Sequence, residues 1–249
     1  MKEWKGIVIA LVAGICAIAC AGILVMGFLS YKQSSGENGI VATGSANCDF
    51  ESDLIVWRGS FSAYGQTTME AYDVIKRDSK LIKEYLEKNN ITEDEMVFNS
   101  VNISKRYTTR YNEAGDVMGD YPDGYDLYQE VCVTSNDVDK VEKISRDITE
   151  LIESGVEFTS NAPEYYYTKL DELKLQLIED ATQNAKERVD IMAKATGEAP
   201  GKLVDANLGI FQITAKNSAE EEYSYGGTFN TSSRDKTATI TVKLNYTVK

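Results

Sequence analysis

The chain reads as an α+β protein carried on an N-terminal membrane helix. Three observations predict this. Residues 6–30 hold no charge. Segments that alternate apolar and polar residues recur between segments of helical period. The strand and helix segments interleave in the order ββαββαβαββ, which predicts a mixed, largely antiparallel sheet packed by about three helices.

Residues 1–5 are expected to be a cytoplasmic N-terminus and residues 6–31 a transmembrane anchor. A helix rises about 1.5 Å per residue, so ~20 apolar residues cross a hydrocarbon layer about 30 Å thick. Lys2 and Lys5 precede the run, and the positive-inside rule then puts the bulk of the chain outside the cytoplasm. Two rival readings are a cleaved signal peptide, for which the apolar run is too long, and a lipoprotein at Cys20. Residues 32–39 read as a tether and residues 40–249 as one exterior domain.

Within that domain, Ile40 to Cys48 and Asp53 to Ala63 read as strands, and Thr67 to Lys88 as a helix stopped at Asn89-Asn90. Met96 to Tyr111 is predicted as one long strand, with Val97, Asn99, Val101, Ile103, Lys105, Tyr107 and Thr109 on one face. Asn112 to Gly124 is dense in turn formers and is expected to connect it to a return strand, Tyr125 to Thr134. Val138 to Glu153 reads as a second helix closed by Gly155, Val156 to Tyr167 as a strand, and Leu170 to Thr196 as a long third helix capped by Gly197. Leu203 to Thr214 and Thr237 to Val248 are the closing strands, separated by a polar loop that contains Glu220-Glu221-Glu222 and Gly226-Gly227.

Composition excludes several chemistries. There is no His among 249 residues, which removes Ser-His-Asp and Cys-His activation and His-ligated zinc. The formal charge is -13. Residues 1–35 hold Lys2, Lys5 and Lys32 against Glu3, so the remainder carries 23 basic and 38 acidic residues, a net of -15. Such a domain is a poor partner for nucleic acid and is repelled by anionic headgroups. No phosphate-binding glycine motif is present. Asp116, Asp120, Asp123 and Asp126 lack the ligand order of a calcium loop and read as a solvated hairpin tip. No catalytic, cofactor-binding or metal-ligating residue is assigned, and no cofactor is expected.

Cys48 and Cys132 are the cysteines outside the apolar segment. They are either free thiols or, in an oxidising compartment, a disulfide. Tyr is the favoured aromatic, with 15 copies against 7 Phe and 2 Trp. Tyr107, Tyr111, Tyr125, Tyr128, Tyr165, Tyr166 and Tyr167 form the candidate interaction surface, with cross-strand packing as the competing reading. The three consecutive tyrosines cannot all face one way on a strand.

From about Gly39 onward the chain resembles the SIMPL-domain family. The resemblance is carried by Val41-Ala42-Thr43-Gly44-Ser45-Ala46, by Gly124-Tyr125 and the Leu127 to Val133 strand, by Asp137 to Val141, and by Gly155-Val156-Glu157-Phe158. It continues through the helix with Ala181, Ala185, Arg188, Ala193, Gly197 and Gly201, and then Gly209-Ile210-Phe211-Gln212-Ile213-Thr214. Departures lie at Phe98 and at Lys105-Arg106-Tyr107. The resemblance implies an α+β bacterial envelope module, associated in some bacteria with oxidative-stress tolerance and with homo-oligomers, and it carries over no catalytic residue. A single-pass membrane protein that assembles with itself or with an envelope partner, and is not an enzyme, is therefore expected. The alternative is an enzyme or small-ligand binder that uses carboxylates, tyrosines or a thiol.

Overall fold

The computed structural model describes residue 14 and residues 18–29, 39–218 and 227–249. Residues 18–29 form a helix (α1) in which every side chain is exposed, including Ile23, Leu24, Met26 and Phe28. Among the described residues no helix is long and apolar enough to cross a membrane. Most of the rest of the expected anchor and tether, and residues 219–226 of the polar loop with the glutamate run and Gly226, lie outside the described residues.

The remaining elements are β1 (Gly39–Glu51), β2 (Leu54–Gly65), α2 (Thr68–Lys88), β3 (Met96–Phe98), β4 (Asn102–Tyr111), β5 (Val117–Ser135), α3 (Val138–Asp147), β6 (Glu157–Ser160), β7 (Glu164–Tyr166), α4 (Leu170–Thr196), β8 (Pro200–Leu208), β9 (Gln212–Ala215) and β10 (Asp235–Val248). The class is α+β and the pairing largely antiparallel, as the sequence predicts. The single expected sheet is instead two. One joins β1, β10 and β8 in that order, with β9 also on β10; the other runs β3-β5-β2-β6, with β4 on β5 and β7 on β2.

Three predicted strands are each split in two, for local reasons. Met96 to Tyr111 breaks at residues 99–101, where Asn99 N–H donates to the Glu130 carbonyl and the Gln129 side chain donates to the Asn99 carbonyl. Val156 to Tyr167 breaks around Pro163, which has no N–H for the ladder on β2. Leu203 to Thr214 breaks at Gly209, where a Cβ would overlap the Thr241 side chain and whose N–H donates to the Thr241 carbonyl. The connection expected over Asn112 to Gly124 shrinks to residues 112–116. There the Asn112 side chain accepts from the N–H groups of Ala114 and Asp116, and Gly115 takes φ +87°. The Gly- and Asp-rich stretch beyond it is strand, because Gly119 and Gly124 adopt positive φ and two register shifts absorb the irregularity. The second helix ends at Asp147 and tightens into a 3-10 helix, Ile148–Ser154, before Gly155 turns the chain at φ +78°.

The chain divides into two compact units, each assembled from segments distant in sequence: residues 1–47, 174–211 and 239–249, and residues 48–173 and 212–238. In the larger unit, β2 places Ile55, Trp57 and Phe61 against Ala71, Ile75, Ile82 and Leu86 of α2 and Val141 and Ile144 of α3. Thr67 starts α2 with a capping box: its hydroxyl accepts from Glu70 N–H, and the Glu70 carboxylate accepts from Thr67 N–H, each at 3.2 Å. In the smaller unit, α4 buries Leu177, Ala181, Ala185, Val189 and Ala193. Gly44 of β1 meets it where a Cβ would overlap the backbone of Ala181 and Ala185. Two polar bonds pin the contact: Arg188 Nη1 donates to the Thr43 carbonyl at 2.9 Å, and Ser45 N–H donates to Asn184 Oδ1 at 3.2 Å. Ala181, Ala185 and Arg188 thus lie on the face of α4 that packs against β1.

Candidate interaction surface

The ribbon of β4 with the first half of β5 is a largely exposed strand pairing. All ten residues of β4 are exposed. It pairs with β5 from Asn102↔Tyr128 to Tyr111↔Val117, whereas β2 reaches β5 only from Tyr125 onward. Residues 106–111 and 117–124 therefore form a two-stranded arm that extends beyond the rest of its sheet. Such an arm is marginal by itself and needs cross-strand ties. They are present: Thr109 Oγ1 donates to Asp120 at 2.6 Å, Thr108 Oγ1 to Asp123 at 2.7 Å, and Arg106 Nε to Asp126 at 2.9 Å. The guanidinium groups of Arg106 and Arg110 lie 4.7 Å from the ring centroids of Tyr64 and Tyr121. Asp120, Asp123 and Asp126 are committed to these bonds, and among the described residues no group of three or more Cys, Asp or Glu is gathered as a metal site would need.

The arm's two faces differ. Ile103, Lys105, Tyr107, Thr109 and Tyr111 alternate along one side of β4, as the sequence reading placed Ile103 to Thr109. Ile103 stands opposite Leu127, which is fully buried in the core with Ala71 and Ile75 of α2. Tyr107 stands opposite Pro122 and Tyr111 opposite Val117. This strip continues the face that the helices cover, but past their reach: Ile103, Tyr107, Tyr111 and Val117 are between 56% and 65% exposed.

The candidate tyrosines separate accordingly. Tyr107 and Tyr111 lie on the uncovered strip, and Tyr125, opposite Lys105, packs half-buried against the core. Tyr128 is exposed on the opposite, solvent face. The Tyr165–Tyr167 triplet is elsewhere, and Tyr165 is no surface residue: it is 7% exposed, and its hydroxyl donates to Glu142 Oε1 at 2.6 Å. Burial, and then that carboxylate, push the phenol up to about 12. Tyr166 is half-buried and donates to Glu164, which also takes Arg58 Nη1 at 2.9 Å and is held below the usual carboxylate range by that guanidinium. Tyr167 packs on Phe50 with ring centroids 4.8 Å apart. Tyr165 to Tyr167 are taken up in contacts within the chain, whereas Tyr107 and Tyr111 stand exposed on the strip.

Cys48 and Cys132 are free and half-buried, and Cys132 sits opposite Arg58 in the β2–β5 ladder.

Three features escaped the sequence reading. Arg234 gathers carboxylates from separate segments: Glu51 and Asp139 at 2.5 Å and Glu142 at 3.5 Å. Close by in sequence, Lys236 is 1% exposed, and its Nζ donates to the Tyr165 carbonyl. Burial pushes this amine down to about 8. Parity held a signal for it, since Lys236, Ala238, Ile240, Val242 and Leu244 are the buried positions of β10. A third feature is a polar cleft of about 400 Å³ at the β3–β4 break, lined by Asn99, Ser100, Asn102, Tyr128 and Glu130.

A family model described as a protein of unknown function (DUF541), named SIMPL, matches residues 40–248. No curated protein matches the chain. The matched span takes in both sheets, the arm and α4, so the chain belongs to the SIMPL (DUF541) family.

Proposed function

We infer that this chain is a membrane-tethered module that works outside the cytoplasm by contact, not by catalysis, with its β4–β5 arm as the contact surface. The observation that carries this reading is the strip of Ile103, Tyr107, Tyr111 and Val117, which continues a core face and which none of the described residues covers. Apolar surface of that kind is stabilised by a partner that removes it from water. The contact is made with a second copy or with an envelope protein.

The tether rests on the uncharged run of residues 6–30, within which the described helix at 18–29 exposes every side chain. Water would leave those side chains unsupported, whereas a bilayer accepts them. An exterior net of -15 keeps the domain off anionic headgroups. The oxidative-stress association implied by the family resemblance would then follow from envelope assembly, with no thiol chemistry at Cys48 or Cys132.

The test compares the full chain with a chain lacking residues 1–35 in alkaline-washed membranes. The full chain remains in the membrane pellet, the shortened chain is released, and protease added outside the cell cleaves the exterior domain. Release of the full chain by alkali would refute the tether.

A further inference from the structure

We propose that the cleft at the β3–β4 break is a binding site for a neutral saccharide of one or two pyranose rings. Its volume of about 400 Å³ falls in the lower range of small-molecule sites. It is built by the fold: residues 99–101 leave the strand, and the turn is held by Asn99 N–H on the Glu130 carbonyl at 2.9 Å and by the Gln129 side chain on the Asn99 carbonyl at 2.8 Å. Asn102 then stands directly opposite Tyr128 on the solvent face, which brings the carboxamide beside the phenol ring.

The lining chemistry selects the ligand class. The side chains of Ser100, Asn102 and Tyr128 have no hydrogen-bond partner among the described residues, and all three are exposed to the cleft. Together they offer both donors and acceptors. No lining residue is cationic, so an anion finds no counter-charge, and the single carboxylate, Glu130, already accepts from Asn99 Nδ2 at 3.0 Å. A cation would use acceptors only and leave the N–H and O–H donors idle. A lipid chain would strand every polar group. A polyol satisfies donors and acceptors at once, and the Tyr128 hydroxyl offers one of each. The cleft lies on the opposite side of the ribbon from the uncovered strip, so this inference stands apart from the contact reading.

The test uses the full chain in phosphatidylcholine nanodiscs and saturation-transfer NMR with methyl α-maltoside and N,N′-diacetylchitobiose. At least one disaccharide receives transfer at its ring C–H protons, with a dissociation constant of about 1 mM. Tyr128→Ala and Asn102→Ala each weaken it roughly tenfold. Glu130→Gln and the remote Tyr72→Ala leave it within about twofold. Matching thermal transitions show that the variants fold. The proposal is overturned by absence of transfer from both disaccharides at ten times that concentration, or by transfer indifferent to Tyr128→Ala. Preferential binding of methylammonium that Glu130→Gln abolishes also overturns it, because the site would then be cationic.

Discussion

Nζ of Lys236 donates to the backbone carbonyl of Tyr165, and that carbonyl is its only hydrogen-bond partner among the described residues. A charged ammonium has three donors, so burial with one acceptor favours the neutral amine. The amine is pushed down to about 8 from an ordinary 10.5. Between those values the unfolded chain binds the proton and the folded chain does not, so stability rises with pH. Tyr165, raised from 10.0 to about 12, works in the opposite direction above pH 10. The clean window is therefore pH 8 to 10, where unfolding followed by Trp57 fluorescence should show a gain of roughly 2 kcal/mol. A flat or falling profile there would contradict the burial of a titrating Lys236.

Lys236→Met keeps the aliphatic stem and removes the amine. It should raise stability at pH 7 by about 1–3 kcal/mol and abolish the rise between pH 8 and 10. Destabilisation at pH 7 would mean that the bond to Tyr165 outweighs the cost of burying the charge.

Tyr165→Phe removes the donor to Glu142 Oε1, while Arg234 stays 3.5 Å from that carboxylate. The remaining ion pair limits the loss to about 1–2 kcal/mol in a denaturant titration. The downturn in stability above pH 10 should weaken in the same variant. An unchanged high-pH limb would assign the downturn to another group.

Gly44→Ala places a methyl group against the backbone of α4 at Ala181 and Ala185. Backbone cannot rotate away as a side chain can, so the helix must shift. Thermal unfolding should register a loss of about 1–3 kcal/mol. Ala46→Ser, two positions along the same strand, serves as the control for β1 itself. Equal melting of Gly44→Ala and wild type would show that the helix does not rest on Gly44.

Much of the fold was legible because side-chain parity and helical period are properties of the chain. β2, α2 and α4 fall where the sequence puts them, while the role of Thr67 as the cap of α2 comes from the structure. Even the face shared by Ile103, Lys105, Tyr107 and Thr109 was readable. The breaks at residues 99–101, Pro163 and Gly209 were not, because each depends on what the neighbouring strand offers: the Glu130 carbonyl, the β2 ladder, Thr241. The arm was misread for a related reason. Asn112 to Gly124 has turn composition, yet cross-strand bonds from Thr108, Thr109 and Arg106 hold most of it in strand. Composition also grouped seven tyrosines that the fold divides between the core and its edge, an ion-pair cluster, the solvent face of β5 and the strip. The Arg234 cluster joins Glu51, Asp139 and Glu142, residues that no local pattern connects.

Tyr107 and Tyr111 touch little within the chain, being 56% and 63% exposed. Tyr107→Ser with Tyr111→Ser should leave unfolding stability within about 0.5 kcal/mol of wild type. A larger loss would show that the strip supports the fold.

The central claim is that this strip is covered by a protein in the membrane's own setting. The direct measurement is photocrosslinking in native membranes from benzoylphenylalanine placed at position 107, with position 72 on α2, where Tyr72 is 50% exposed, as control. The account predicts a protein adduct from position 107, its loss when Tyr111→Ser is added, and none from position 72. Adducts of equal yield from both positions, or none from position 107, would contradict it.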